Sequence, residues 1–132
     1  MAAEKLFENK VKRFLQSEGI YPLGTPANKM NVAPCGYYEK RWGSKFTKSG
    51  LPDLSISIMT RSLEVELKAD KGRASELQKF MLRQIGDTGV IAIILYPDGF
   101  EEFKTLITYI KNGCYDDVPQ RFKNLLERGL KE

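Results

Sequence analysis

SGLPDLSISIMTRSLEVELK, residues Ser49 to Lys68, reads as two short strands joined by a tight turn. Asp53 opens the first strand, and Glu66 and Lys68 close the second. A strand sends alternate side chains to opposite faces. Leu54, Ile56 and Ile58 therefore form an apolar side, with Asp53, Ser55 and Ser57 opposite. In the second strand Leu63, Val65 and Leu67 share one face, and Glu64, Glu66 and Lys68 the other. A turn near Met59 to Arg61 sets Asp53 opposite Glu66 or Lys68. Two carboxylates and an ammonium then converge at one end of a hairpin.

Working outward toward the C-terminus, ADKGRA (Ala69 to Ala74) is a basic turn. Ser75 to Thr88 reads as a helix with Leu77, Phe80, Met81 and Ile85 as its apolar stripe. Ser75 and Gln78 fit a capping box, which is a complete structural reason for both residues. Gly89 lets the chain turn, and VIAIILY (Val90 to Tyr96) has the continuous apolar character of a strand buried on both faces. A helix between two strands makes a crossover, so this strand should run parallel to the second hairpin strand. After the turn at Pro97 to Gly99, Phe100, Phe103, Leu106, Ile107 and Ile110 line a further helix that Gly113 ends. A last amphipathic helix spans about Pro119 to Arg128.

Toward the N-terminus, Ala3 to Glu18 reads as a helix with Phe7, Val11, Phe14 and Leu15 on one face and Gly19 as its stop. Glu8 borders that stripe. It is spaced to pair with Lys12, or to point along the core edge into a cleft; Glu4 lies one turn earlier on the same face. Ile20 to Pro34, with three prolines and a glycine, reads as a long loop. Gly36 to Trp42 has strand character. Lys40, Arg41, Lys45 and Lys48 follow closely without an intervening acid and are interleaved with Trp42 and Phe46. Cations and aromatics in this mixture can track a phosphate backbone; lysines on a strand edge also block aggregation. The sum is an α/β fold, a mixed central sheet with helices on its faces, in a single domain over residues 1–132.

Composition narrows the chemistry. Apolar residues make up 42% and charged residues 29%, ordinary for a globular protein. No run approaches a membrane span, and the charged N-terminus has no signal-peptide core, so the expected location is cytosolic. Cys35 and Cys114 have no metal-type spacing and read as free thiols. The chain has no histidine, which excludes Ser-His-Asp and Cys-His triads and every imidazole metal site. A metal held by oxygen atoms alone is a hard ion, Mg²⁺ or Mn²⁺. The net charge of +4 suits a polyanionic partner.

Asp53 and Glu66 have the chemistry to hold such an ion, and a backbone carbonyl near the strand end, such as that of Leu67, can add a ligand. Lys68 can position or deprotonate a water, or neutralise developing charge. The plain structural alternative is a cross-strand ladder of ion pairs, Asp53 with Lys68 and Glu66 with Arg61.

Taken together, Gly50-Leu-Pro52-Asp53, Glu66-Leu-Lys68 and Ser75-x-x-Gln78 resemble the PD-(D/E)xK nuclease superfamily, and more narrowly its VRR-NUC group of phage-like replication and repair nucleases. The resemblance runs from about Phe7 to Ile107 and includes GVIAIILYPDGFEEF. It implies a restriction-endonuclease-like core, metal-binding acids at Asp53 and Glu66, the lysine at Lys68, a helical glutamine at Gln78, an acid on the first helix at Glu8 and a basic residue at Lys40. It also implies an Mg²⁺-dependent DNA endonuclease of bacterial or phage origin. Stand-alone members are associated with branched DNA such as Holliday junctions. Cutting two symmetric strands in turn implies a homodimer. Lys40, Lys45, Lys48, Lys71 and Arg73 would contact phosphates without reading bases. The alternatives are a sequence-specific restriction-like nuclease, a catalytically silent nucleic-acid-binding module, and an interaction protein whose acids only form ion pairs.

Overall fold

The structure, a computed structural model, describes residues 2–42 and 49–131. Five strands form one mixed sheet in the order β1-β2-β3-β4-β5. They are β1 (Ile20–Pro22), β2 (Gly36–Lys40), β3 (Leu54–Ile58), β4 (Arg61–Leu67) and β5 (Ile91–Leu95). The hairpin β3–β4 is antiparallel with Leu54 opposite Val65 and Ile58 opposite Arg61, so Met59 and Thr60 alone make the turn. β4 and β5 are parallel, as the crossover requires, with Leu67 opposite Leu95. β2 runs antiparallel to β3, and β1 parallel to β2.

The helices are α1 (Ala3–Ser17), α2 (Glu76–Gly86), α3 (Phe100–Lys111), α4 (Val118–Arg121) and α5 (Lys123–Glu127). Phe7, Val11 and Leu15 of α1 and Phe103, Leu106, Ile107 and Ile110 of α3 share a core with Leu54, Ile56, Ile58, Leu63, Val65, Leu67, Ile93 and Leu95. That is the face that alternation assigned to the apolar residues. The other face is covered by α2, whose Leu82 packs with Ala92, Ile94 and Tyr96. Both sides of β5 are buried, and so is every residue of β4 from Leu63 to Leu67, Glu64 and Glu66 included. Gly19 ends α1 with φ +87°, the left-handed geometry of a helix stop.

Three expectations need correction. The stretch from Ile20 to Pro34 is not all loop: Ile20–Pro22 pairs with β2 at the sheet edge. Three residues are too few to show periodicity, and an edge strand tolerates Pro22 because it needs no donor on its outer side. The last helix is two short ones, divided at Phe122 with φ −113° and ψ 29°. The stripe of α2 is rotated. Leu77 and Phe80 are exposed, while Leu82 and the aliphatic part of Lys79 are buried. The reason is polar: this helix lies over the face that carries Glu64 and Glu66, and it turns Gln78 toward Glu66. Among the described residues no helix is long and apolar enough to cross a membrane, and Cys35 and Cys114 are free thiols.

Candidate active site

Asp53 is set by the turn before β3. Gly50 has φ +84°, and a Cβ there would lie 2.7 Å from Leu77 Cγ and 3.2 Å from Met81 Cγ of α2. Glycine alone tolerates both that backbone and that approach. Pro52 is buried next to it. Arg41 clamps the turn. Its N–H donates to the Asp53 carbonyl at 2.8 Å, its Nη1 to the Pro52 carbonyl at 2.9 Å, and its Nη2 pairs with Glu64 Oε1 at 2.7 Å. Neither Arg41 nor Glu64 was singled out for this role from sequence. The alternation that put Glu64 on the face of Glu66 was the available signal.

The β3–β4 register continues one step beyond Leu54–Val65 and places Asp53 beside Glu66. The Leu67 N–H donates to Asp53 Oδ2 at 2.8 Å. In a strand the N–H and C=O of one residue leave by the same edge, so the Leu67 carbonyl also points to the Asp53 side. The other Asp53 oxygen, Oδ1, lies 3.6 Å from Lys40 Nζ.

Glu66 is 3% exposed. Its Oε2 accepts from Gln78 Nε2 at 3.0 Å and lies 3.3 Å from Lys68 Nζ. Its Oε1 is buried and has no hydrogen-bond partner among the described residues. Burial, reinforced by the Asp53 charge, pushes the Glu66 carboxyl from 4.5 up to about 7, although Lys68 pulls the other way. Glu4 of α1 is close enough to add to the rise.

Gln78 makes two contacts at once: it closes the helix cap and it reaches Glu66. Its Oε1 accepts from the Ser75 N–H at 2.8 Å, closing a capping box in which Ser75 Oγ accepts from the Gln78 N–H. The cap requires the amide oxygen on the backbone side, which leaves Nε2 to donate to Glu66. Ser75→Ala and Gln78→Ala are each expected to cost about 1 kcal/mol in denaturant unfolding. The double variant should lose less than the sum, because the two bonds form one unit. Fully additive losses would show that the two halves act separately.

Glu8 is buried, and its carboxylate meets three lysines: Lys12 at 2.8 Å, Lys5 at 2.9 Å and Lys40 at 2.8 Å. Burial opposes its charge, but the bonds from Lys12, Lys40 and Lys5 more than offset it and hold the carboxyl down to about 2. Glu8 thus does form the pair with Lys12, and Lys40 connects it to Asp53. Burial would lower the Lys40 ammonium, yet Glu8 and the Asp53 charge raise it. The simple ladder does not form: Asp53 faces Lys40, Glu66 faces Lys68, and Arg61 stacks on Tyr115 with Cζ 3.9 Å from the ring centre.

Lys71 and Arg73 are exposed on the turn between β4 and α2. With Asp70, Gly72, Tyr96 and Arg128 they line a concavity of about 280 Å³. Lys45, Lys48 and Phe46 lie outside the described residues. Among the described residues no three carboxylate or thiol side chains gather into a metal cage. The oxygen atoms at this end of the hairpin are those of Asp53, Glu66 and the Leu67 carbonyl. A hard divalent ion that keeps several waters needs only one or two carboxylates, and Glu66 Oε1 has no hydrogen-bond partner among the described residues. No protein-family model and no curated protein matches this sequence.

Proposed function

We propose that this chain is a metal-dependent DNA endonuclease with a restriction-endonuclease-like core, and that it cuts branched DNA as a homodimer. One observation carries the reading: Glu66 Oε1, buried beside Asp53 at the open end of the hairpin, has no hydrogen-bond partner among the described residues. A buried carboxylate oxygen left alone is costly, and a divalent ion is the partner that this oxygen set fits. Asp53, Glu66 and the Leu67 carbonyl would hold Mg²⁺ or Mn²⁺, which supplies the positive charge that a phosphoryl group undergoing hydrolysis needs.

The chain's own residues do the rest. The Leu67 N–H fixes one Asp53 oxygen, and Arg41 fixes the Asp53 backbone. Gln78 fixes the Glu66 carboxylate from the start of a capped helix. Lys68, 15% exposed at its side chain, sits where it can orient a water or neutralise the leaving oxygen. Lys71 and Arg73, exposed on the turn between β4 and α2, would meet phosphates. A junction is cut on two symmetric strands, so a two-fold dimer follows from the substrate.

A second reading has its own support. Lys40 and Lys68 already face Asp53 and Glu66 as ion pairs, which a silent DNA-binding module could retain without metal. Cleavage of linear, nicked, flap and four-way DNA in Mg²⁺ separates the two. The wild type is expected to cut, with four-way DNA preferred, and to stop in EDTA. Asp53→Ala should abolish cutting, and Lys68→Ala should lose cutting while keeping DNA affinity. Binding of junctions with no cutting in Mg²⁺ or Mn²⁺ favours the silent module. Undiminished cutting by Asp53→Ala sinks the assignment.

A further inference from the structure

The two acids of the hairpin end differ in which oxygen the lysines face. At Glu66, Oε2 takes both Gln78 and Lys68, and Oε1 has no hydrogen-bond partner among the described residues. At Asp53, Oδ2 takes the Leu67 N–H, and Oδ1 faces the Lys40 ammonium at 3.6 Å. Lys68 thus stands at an oxygen that Gln78 also holds, whereas Lys40 stands at the Asp53 oxygen that the Leu67 N–H leaves for a cation. Lys40 is held there from two directions. Its backbone lies in the β2–β3 ladder opposite Leu54, and its ammonium is 2.8 Å from Glu8 Oε1. The other Glu8 oxygen, Oε2, meets Lys5 at 2.9 Å and Lys12 at 2.8 Å. Glu8 is buried, so turning its carboxylate to release Lys40 would break the contacts of two further lysines.

We infer that Lys40, anchored by Glu8, is a fixed counter-charge that competes with a divalent ion for Asp53 Oδ1 and so sets how tightly the site takes metal. An ion on that oxygen must displace the ammonium from it, and the two like charges then remain neighbours because Glu8 keeps Lys40 close. Charges that are partly buried are screened less than exposed ones, and the Lys40 side chain is 17% exposed. The inference rests on the nuclease reading and deepens it by naming what regulates its metal site. It also gives the acid of the first helix a part other than ligation: Glu8 holds the competitor in place. Lys68 has no such effect on Glu66 Oε1, since its ammonium is turned to the other oxygen.

Lys40→Met and Lys40→Gln remove the charge and leave both of its partners engaged: Glu8 keeps Lys5 and Lys12, and Asp53 keeps the Leu67 N–H. Both variants should therefore keep the wild-type circular dichroism spectrum. The probe is Mn²⁺, titrated into the full chain without DNA in low-salt buffer near neutral pH, with binding read from the loss of the free-ion electron paramagnetic resonance signal. The two neutral variants should bind Mn²⁺ about 10- to 100-fold more tightly than the wild type. Lys40→Arg, which keeps the charge, should stay near the wild-type affinity. Adding Asp53→Ala to Lys40→Met should remove the gain. Equal or weaker Mn²⁺ binding in both neutral variants, the same gain in Lys40→Arg, or a gain that survives Asp53→Ala would overturn the inference. Because the readout is binding, the two proposals fail separately. Tighter Mn²⁺ in Lys40→Met with no DNA cleavage by any of these proteins fails only the nuclease reading. Mn²⁺ binding that Asp53→Ala abolishes and Lys40→Met leaves unchanged fails only the competition.

Discussion

Glu66→Gln is expected to slow cleavage sharply and, in the absence of metal, to make the protein more stable. The Glu66 carboxyl binds its proton more tightly folded than unfolded, with its pKa pushed from 4.5 to about 7 by burial and the Asp53 charge. Between those values the folded state holds more protons than the unfolded one, so stability falls as pH rises. No penalty exists below the unfolded value, and the full penalty is present above about 7. A shift of this size corresponds to roughly 3 kcal/mol. The neutral amide removes it. Urea unfolding in EDTA should therefore show the wild type losing stability from pH 4.5 to 8, while Glu66→Gln loses much less. At pH 8, Mg²⁺ should raise the unfolding midpoint of the wild type and leave that of Glu66→Gln unchanged. If the two proteins trace the same pH curve, the buried charge is not the source of the instability. Cleavage should fall by roughly 10³-fold, the scale of losing a group that stabilises transition-state charge.

Glu8→Gln is expected to do the opposite to the fold. Its carboxyl lies below the ordinary range, at about 2, because three lysines outweigh its burial. A depressed carboxyl contributes stability above its unfolded pKa, and that contribution is lost as pH falls toward the folded value. The substitution keeps the shape but leaves Lys5, Lys12 and Lys40 facing one another. A loss of about 3 kcal/mol at pH 7 is expected, shrinking as the pH approaches 2. A difference that stays constant with pH would assign the loss to packing. The two glutamates act in adjoining windows, one above pH 4.5 and one below it. For these two groups taken together the metal-free contribution is greatest near pH 4.5, and a bound divalent ion would move that point upward.

Much of this was legible because the hairpin obeys a period of two. Alternation alone assigned Leu54, Ile56 and Ile58 to the core and put Glu66 on the face of Lys68; it left Asp53 opposite Glu66 or Lys68, and the two-residue turn of the structure decides for Glu66. The capping box was legible because its spacing is local. Contacts between distant elements were not. Nothing in the spacing of α1 says that Lys40 will cross from β2 to Glu8, or that Arg41 will tie Pro52 to Glu64. The rotation of α2 was misread for a related reason. Hydrophobic period placed Leu77 and Phe80 inward, but the helix packs on a sheet face that is partly charged, with Leu82 on Ala92, Ile94 and Tyr96 and Gln78 on Glu66. A polar face reverses the usual inference from an apolar stripe.

β3 and β4 lie inside the sheet, each with a strand on both sides, and β4 is buried along Leu63 to Leu67. Glu66 therefore sits in the part of the backbone whose amides would exchange last with solvent, since inner strands open only with the whole domain. Fraying of β1 or of the C-terminal helices leaves its ladder closed. Heating should therefore leave the β3–β4 ladder that carries Glu66 closed until the domain melts as a unit.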